Sequence, residues 1–205
     1  MPERIAVVGV VGGEPVGKEA RAAIEAAAVV AGAPRHLRTL APLGARTLPI
    51  DGPLSDVLDA LGRERGGVCV LGSGDPGFFG IVRVLAERFA PQRLDVHPAP
   101  SSVSLAFARL GLPWDDAAVI SAHGRPLAEA ARRAVRHSKA AVLVAPDAPP
   151  EALGRELFEG EDVDAFVGLP QTRAHGGPAV RRTERAQFPA QRLGRRIRAY
   201  EHRGF

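Results

Sequence analysis

A serine and a carboxylate lie among glycines directly after an apolar segment in the first half of the chain. Residues 68–71 are V-C-V-L, and residues 72–77 are G-S-G-D-P-G. A short apolar run that ends in turn residues is typical of a buried strand in a parallel sheet. The loop after such a strand presents backbone N–H groups at the edge of the sheet where α/β proteins bind small ligands. Asp75 adds a carboxylate that suits a ligand with hydroxyl groups or a positive centre, so we predict a small-molecule site here.

Residues 72–77 also fit the G-x-G-x-x-G pattern of dinucleotide-binding loops. A pyrophosphate needs a close, uncharged backbone, whereas Asp75 would place a carboxylate beside the phosphates. The acidic residue that should end the second strand is not in its usual place, because Asp95 begins its strand. These features disfavour a nicotinamide or flavin site. Asp75 is also suited to cap a helix whose first residue is Pro76, where the missing proline N–H costs nothing.

Further segments make the chain similar to a known family. Residues 73–80, S-G-D-P-G-F-F-G, resemble the S-G-D-P-x-x-x-G loop of the tetrapyrrole methylases, and residues 98–103, P-A-P-S-S-V, resemble the second cofactor loop of that family. Residues 105–116 and 121–125 are similar to a branch that methylates carbon 5 of a corrin precursor (precorrin or cobalt-precorrin) in cobalamin biosynthesis. The resemblance implies a C-methyltransferase that uses S-adenosyl-L-methionine. It leaves open whether a separate subunit methylates and decarboxylates at carbon 15.

By this resemblance, the cofactor contacts come from two loops and one strand end. The implied residues are Gly9, Ser73, Gly74, Asp75, Phe78, Ser101 and Ser102. Gly9 would complete the floor of the cleft with Gly12 and Gly13, although residues 10–14, V-V-G-G-E, depart from the usual family loop. Each loop alone also has a structural explanation, since an aspartate caps helices and a serine pair starts them. The occurrence of both loops, roughly 25 residues apart on successive strand ends, favours the cofactor interpretation.

The segment His123-Gly124-Arg125 is the candidate for substrate contact, because it follows the first strand of the second half. A corrin precursor carries acetate and propionate arms, and arginine forks bind carboxylates well. Arg125, Arg83 and Arg109 are the candidate partners, and a solvated surface arginine is the alternative for each. His123 is the candidate acid or base, although the sequence shows no partner that fixes this role.

The implied chemistry requires positioning more than reactive side chains. Methyl transfer from a sulfonium to carbon is an in-line displacement, so the protein must hold donor and acceptor in contact and exclude water. We expect no metal, since the six histidines form neither an H-x-x-x-H nor an H-E-x-x-H pair. The chain also has no G-x-S-x-G hydrolase motif.

The elements that would position these residues alternate between strand and helix. Strands are predicted at residues 5–10, 29–31, 68–71 and 94–96, and helices at residues 15–28, 53–63, 76–89 and 102–110. This alternation predicts an α/β fold with a parallel sheet covered on both faces. Cys69, the only cysteine, is predicted to be a small core residue. With no run of 18 apolar residues and no leader before the first strand, we predict a cytoplasmic protein without membrane contact.

Residues 111–114, G-L-P-W, interrupt the pattern, because Pro113 prevents a helix from continuing. The alternation then resumes, with strands at residues 117–120, 140–144 and 163–167 and helices at residues 127–135 and 151–158. We predict an N-terminal domain of residues 1–111 and a C-terminal domain of residues 112–205. These would be two α/β domains of the tetrapyrrole methylase type with the cofactor cleft between them. We also expect a homodimer, because two small sheets bury little surface alone and the resemblance implies one.

Basic charge is concentrated at the end of the chain. The sequence pI is near 10.1 and the net charge is +4, but nine arginines against two glutamates in residues 169–205 contribute +7, so the preceding residues carry −3. A basic tail on a mildly acidic body is not a basic binding face, so we predict no nucleic-acid binding. The alternatives are a family relative that acts on RNA or protein, a basic binding protein, and a degenerate copy with impaired activity.

The last segment, residues 170–205, is irregular and rich in arginine. It contains prolines at 170, 178 and 189 and has no period of 2 or 3.6. Such a segment buries too little apolar surface to offset its ordering entropy. We predict that residues 170–195 are poorly ordered, that the second domain is incomplete, and that activity in isolation is weak or absent. An arginine-rich clamp for a polycarboxylate is the alternative.

Overall fold

Two separate parallel sheets organise the chain. The computed structural model describes residues 4–144, 150–158 and 166–170. The chain divides into a first unit of residues 1–101 and a second unit that begins at Ser102. The helix of residues 102–110 lies with the second unit, whereas the sequence predicted a boundary after that helix.

The first unit contains six strands and four α-helices among the described residues, with a short 3-10 helix at Pro91–Arg93. In chain order these are β1 Ile5–Val11, β2 Glu14–Pro15, α1 Lys18–Glu25, β3 Val29–Gly32, α2 Pro34–Thr39, β4 Arg46–Pro49, α3 Leu54–Arg63, β5 Val68–Ser73, α4 Val82–Phe89 and β6 Leu94–His97. All four predicted strands form. Elements β2, α2 and β4 were not predicted.

Strand β1 lies near the centre of the first sheet. The parallel strands follow the order β6-β1-β5-β3-β4, so their carboxyl ends lie along one edge. β2 pairs antiparallel with the last two residues of β1, beyond the part of β1 that β6 covers. The turn between β1 and β2 consists of Gly12 at φ +62° and Gly13 at φ +89°. A two-residue hairpin turn of type I′ needs positive φ at both positions, which explains the glycine pair.

Both faces of the first sheet are covered, as the sequence predicted. Alternate residues of β1, β3 and β5 point to opposite faces. One face packs with α3 and α4 around the fully buried Leu85, and the other packs with α1 and α2 around Ile24 and Leu37. Cys69 is completely buried in the second cluster, and this burial raises the pKa of its thiol to about 12. The prediction of a core cysteine is confirmed.

Two helices begin later than predicted. α1 begins at Lys18 instead of Pro15, because Pro15 pairs in β2 and Gly17 has a φ of +91°, which is not helical. α4 begins at Val82 instead of Pro76, because the intervening residues form a separate turn. The predicted role of Asp75 as the cap of this helix is therefore wrong.

The second unit contains a smaller parallel sheet in the order β7-β8-β9. Its elements are α5 Ser102–Leu110, β7 Ala118–Ser121, α6 Leu127–Ala134, β8 Ala140–Val144, α7 Pro150–Phe158 and β9 Phe166–Pro170. β8 is buried along its whole length, and its apolar side chains pack with those of α6 and α7. The helix predicted at residues 102–110 and the strand at residues 140–144 are confirmed residue for residue. The predicted disorder falls mainly on residues 171–195, which lie outside the described residues.

No helix in the described part of the chain is both long enough and apolar enough to span a bilayer.

Candidate functional site

Three strand ends of the first unit converge at Gly9. A Cβ atom built on Gly9 would lie 2.1 Å from the carbonyl oxygen of Gly74 and 2.6 Å from the amide nitrogen of Ala99. Gly74 follows β5 and Ala99 follows β6, so the two predicted cofactor loops meet over β1. The amide of Gly74 also donates a hydrogen bond of 2.9 Å to the carbonyl oxygen of Val10. Only glycine fits at position 9, because side-chain space is taken by backbone from both loops.

Asp75 organises a turn instead of a helix start. Its Oδ1 accepts a hydrogen bond of 2.8 Å from the amide of Gly77, and its carbonyl oxygen accepts one of 3.1 Å from the amide of Phe78. Aspartate side chains commonly make hydrogen bonds of this kind to nearby backbone amides, and these bonds favour a turn over a helix. The residue is partly exposed. The carboxylate is thus held in a fixed position at the carboxyl edge of the sheet.

Two aromatic rings follow Asp75. Phe78 and Phe79 pack edge to face with ring centroids 5.0 Å apart. Phe79 is 57% exposed and has a φ of +54°, in the left-handed region that bulky residues rarely occupy. Strained backbone is typically retained where surrounding structure or function requires it. The loop thereby presents an apolar surface beside a carboxylate.

Helix α2 adds two residues that the sequence analysis missed. Arg35 Nη2 donates a hydrogen bond of 2.8 Å to Ser73 Oγ, and His36 Nε2 lies 2.9 Å from the same oxygen. His36 is 6% exposed, and burial, reinforced by the charge of Arg35, lowers the pKa of its ring to about 4. Burial also lowers the pKa of Arg35. The sequence contains one signal for this helix, which is Pro34 two residues after β3. Proline is favoured at the first position of a helix, so it could have indicated that Arg35 and His36 lie in a helix.

The second loop ends at the division between the two units. Ala99 is buried, and its amide nitrogen and Cβ lie next to the position that a Cβ on Gly9 would occupy. Ser101 lies two residues further on. Ser102 is the first residue of α5, so the helix start predicted there is present. The serine pair is therefore close in sequence to the convergence at Gly9, and Ser102 also has a structural role.

The predicted substrate residues belong mainly to the second unit. His123 and Arg125 are exposed in a turn after β7, in which the amide of Arg125 donates to the carbonyl oxygen of Ala122 at 3.1 Å. Gly124, the third residue of this turn, has a φ of +68°, a backbone conformation that favours glycine. Arg109 is exposed in the last turn of α5, and Arg83 lies on α4 of the first unit. The structure thus brings Gly9, Gly74 and the second loop together in the first unit. His123, Arg125 and Arg109 belong to the second unit.

Residues 5–169 match the family model described as Tetrapyrrole (Corrin/Porphyrin) Methylases. The chain is 43% identical over 114 residues to a precorrin-6Y C(5,15)-methyltransferase [decarboxylating] of Sinorhizobium sp, a match that covers 55% of this chain but only 28% of that relative. It is 30% identical over 154 residues to a cobalt-precorrin-7 C(5)-methyltransferase of Salmonella typhimurium, covering 72% of this chain and 76% of the relative. The chain therefore spans less than a third of the first relative and about three quarters of the second.

Solved structures agree with these matches. A crystal structure of a cobalamin-biosynthesis precorrin-6Y methylase from Archaeoglobus fulgidus shares 28% identity and a TM-score of 0.56, covering 75% of this chain and 78% of that one. The methyltransferase CobJ has a TM-score of 0.58 at 24% identity, covering 76% of this chain and 74% of that one, and supports the fold alone.

Proposed function

The chain belongs to the tetrapyrrole methylase family, and from this premise we propose that it transfers a methyl group from S-adenosyl-L-methionine to carbon 5 of a precorrin or cobalt-precorrin in cobalamin biosynthesis. The observation that carries the proposal is the match to two kinds of relative whose names both include methylation at carbon 5. The convergence of both cofactor loops at Gly9 supports it independently.

The residues at this edge fit the proposed cofactor. Gly9 and Gly74 permit close backbone approach, and Asp75 supplies a fixed carboxylate for hydroxyl groups or for a positive centre. Phe78 adds apolar surface, and Ser101 and Ser102 are the proposed contacts of the second loop. The hydroxyl of Ser73 already bonds to α2, so we propose that Ser73 contributes its backbone.

S-adenosylmethionine, when bound, supplies a methyl group that its sulfonium makes electrophilic. A carbon of the substrate donates the electron pair for the new carbon–carbon bond, and sulfur keeps the pair of the bond that breaks. The task of this chain is then to orient both partners and exclude water. Asp75 is the proposed contact for a hydroxyl group or a positive centre of the donor, Arg125 and Arg109 are the proposed contacts for substrate carboxylates, and His123 is the candidate acid or base.

A direct assay tests the function. The chain is incubated with labelled S-adenosylmethionine and a C(5)-unmethylated precorrin, with and without cobalt, in parallel with RNA and with protein. We expect label on the ring at carbon 5, and label on RNA or protein would support the alternative. Cofactor binding without transfer would support the degenerate copy.

In the same assay Arg125→Ala should lose ring methylation while its affinity for the cofactor is unchanged. Loss of both would mean that Arg125 supports the fold.

Asp75→Ala should weaken binding of S-adenosylmethionine and S-adenosylhomocysteine by about 10-fold, because a charge-assisted hydrogen bond contributes about 1.5–3 kcal/mol. Asp75→Asn is the matched control, since its side-chain oxygen can still accept from the amide of Gly77 but carries no charge. Calorimetry on the three proteins separates the charge from the turn. Equal affinities in wild type and Asp75→Ala would remove Asp75 from the cofactor site.

The homodimer, the cytoplasmic location, the separate carbon-15 subunit and the cleft between two domains stay predictions.

A further inference from the structure

The packing of the first unit does not explain why Phe79 is exposed. Its side chain is 57% exposed, whereas Phe89, at the end of the following helix, is completely enclosed in the core. Phe79 also has a φ of +54°, in the left-handed region that bulky residues rarely occupy. The chain therefore holds a large apolar ring in a costly backbone conformation without burying it. A strained residue with so little packing indicates a functional contact.

The backbone of the loop closes around Phe79. The amide of Val82 donates a hydrogen bond of 3.1 Å to the carbonyl oxygen of Pro76. A Cβ built on Gly80 would lie 2.3 Å from that same oxygen, so only glycine lets the chain return so closely against Pro76. Phe79 directly precedes Gly80 inside this closed turn. Its ring is thus already held in place, and a ligand that covers it pays little ordering entropy.

The closed turn lies at the carboxyl edge of the first sheet, directly after β5. Gly74, at the start of the same loop, has its carbonyl oxygen over Gly9, where the close backbone suits the small cofactor. A small ligand is bound in a concave site that surrounds most of its surface. A largely exposed ring suits a broader ligand instead, because a wide apolar face can cover the ring from one side by stacking or by edge-to-face contact.

We infer that Phe79 contacts the apolar face of the tetrapyrrole macrocycle and favours substrates that have such a face. The inference rests on the proposed function, which supplies the macrocycle as the second ligand of this edge. Arg83, exposed in the first turn of α4, lies four residues further along the chain and is the candidate contact for a carboxylate arm. The adenine of the donor is the other planar group bound here, so the affinity for each ligand must be measured separately.

Binding measurements test this contact without turnover. The probes are uroporphyrin, a polycarboxylated tetrapyrrole, coproporphyrin, which has the same macrocycle with fewer carboxylates, and S-adenosylhomocysteine. Phe79→Gly removes the ring and suits the left-handed backbone, so it leaves the turn unstrained. Phe79→Tyr keeps an aromatic ring. Val135→Ala is the control, because Val135 is an exposed apolar residue at the end of α6 in the second unit.

Phe79→Gly should weaken binding of both porphyrins by about 10-fold, because it removes an aromatic contact with the macrocycle that they share. Its affinity for S-adenosylhomocysteine should equal that of the wild type. Phe79→Tyr and Val135→Ala should bind all three probes as the wild type does. In the methylation assay, Phe79→Gly should raise KM for the precorrin more than it lowers kcat. Protected amides in β5 would show that the sheet of this variant is intact.

Several results would overturn the inference. Unchanged porphyrin affinity in Phe79→Gly, or a wild type that binds neither porphyrin, would remove the contact. A loss confined to uroporphyrin would place the effect at the carboxylate arms instead of the macrocycle. Weaker binding of S-adenosylhomocysteine, alone or together with the porphyrins, would mean that Phe79 supports the donor site. A lower association state of Phe79→Gly in analytical ultracentrifugation would assign the ring to a contact between two copies of the chain.

Failure of the proposed function looks different from failure of this contact. A wild type that binds both porphyrins through Phe79 but does not methylate a precorrin would contradict the proposed reaction and leave the macrocycle contact intact. A wild type that methylates carbon 5, with Phe79→Gly equal to it in porphyrin affinity and in KM, would leave the proposed reaction intact and contradict the contact.

Discussion

Gly9→Ala is expected to weaken binding of S-adenosylmethionine by about 100-fold. The new Cβ would lie 2.1 Å from the Gly74 carbonyl oxygen and 2.6 Å from the Ala99 nitrogen, where ordinary contacts begin at 3.4 Å. Both neighbours are backbone atoms, so neither can rotate away. The two loops must move apart, and the hydrogen bond from Gly74 to Val10 must lengthen or break. Because both proposed cofactor loops move at once, the loss should exceed that of any one contact.

Gly52→Ala is the matched control, because a Cβ there meets nothing within 4 Å and the residue lies in the same unit. Calorimetric titration of both variants measures the effect. Amide hydrogen exchange in β5 shows whether the sheet of Gly9→Ala remains folded. If the exchange is protected and the affinity equals that of Gly52→Ala, the convergence at Gly9 is not the cofactor site.

The sheet could be predicted because its central strands carry one unambiguous signal. β1, β3 and β5 are largely buried on both faces, and such strands contain continuous runs of small and branched apolar residues, mostly valine. The helix at residues 102–110 could be predicted as well, because a serine start and a proline two residues beyond Gly111 bound an apolar periodic segment. Periodicity and punctuation are local properties, so a single sequence contains them.

The missed features depend on contacts that lie far apart in sequence. α2 has six residues, too few for a helical period, and its importance lies in bonds to Ser73. The start of α4 was misplaced because the aspartate–proline pair that starts a helix also starts a turn, and the bond from Gly77 to Asp75 selects the turn. Likewise, Gly9 could be proposed as a site residue, but its two close neighbours, Gly74 and Ala99, lie in loops that follow other strands.

His36 should make the stability of the first unit depend on pH. The ordinary pKa of a histidine is 6.5 and that of folded His36 is about 4, so the unfolded chain takes up a proton between these values and the folded chain does not. The contribution of His36 is therefore fully present above about pH 6.5, is lost as the pH falls towards 4, and does not fall further below that. The free energy of unfolding should fall by about 2 kcal/mol. Each unit of pKa difference corresponds to about 1.4 kcal/mol, and the full value is reduced here because the ring keeps some hydration.

Denaturant unfolding of wild type and His36→Gln at pH 7.5, 6, 5 and 4 measures this loss. Glutamine can accept from the Ser73 hydroxyl but does not titrate, and every other acid-sensitive group is common to both proteins. The wild type should lose about 2 kcal/mol more than the variant between pH 7.5 and pH 4. If the free energy of unfolding depended on pH in the same way in both proteins, folded His36 would take up its proton near pH 6.5. It would then stand as a second cation beside Arg35, and Ser73 could no longer donate its hydroxyl hydrogen to that ring.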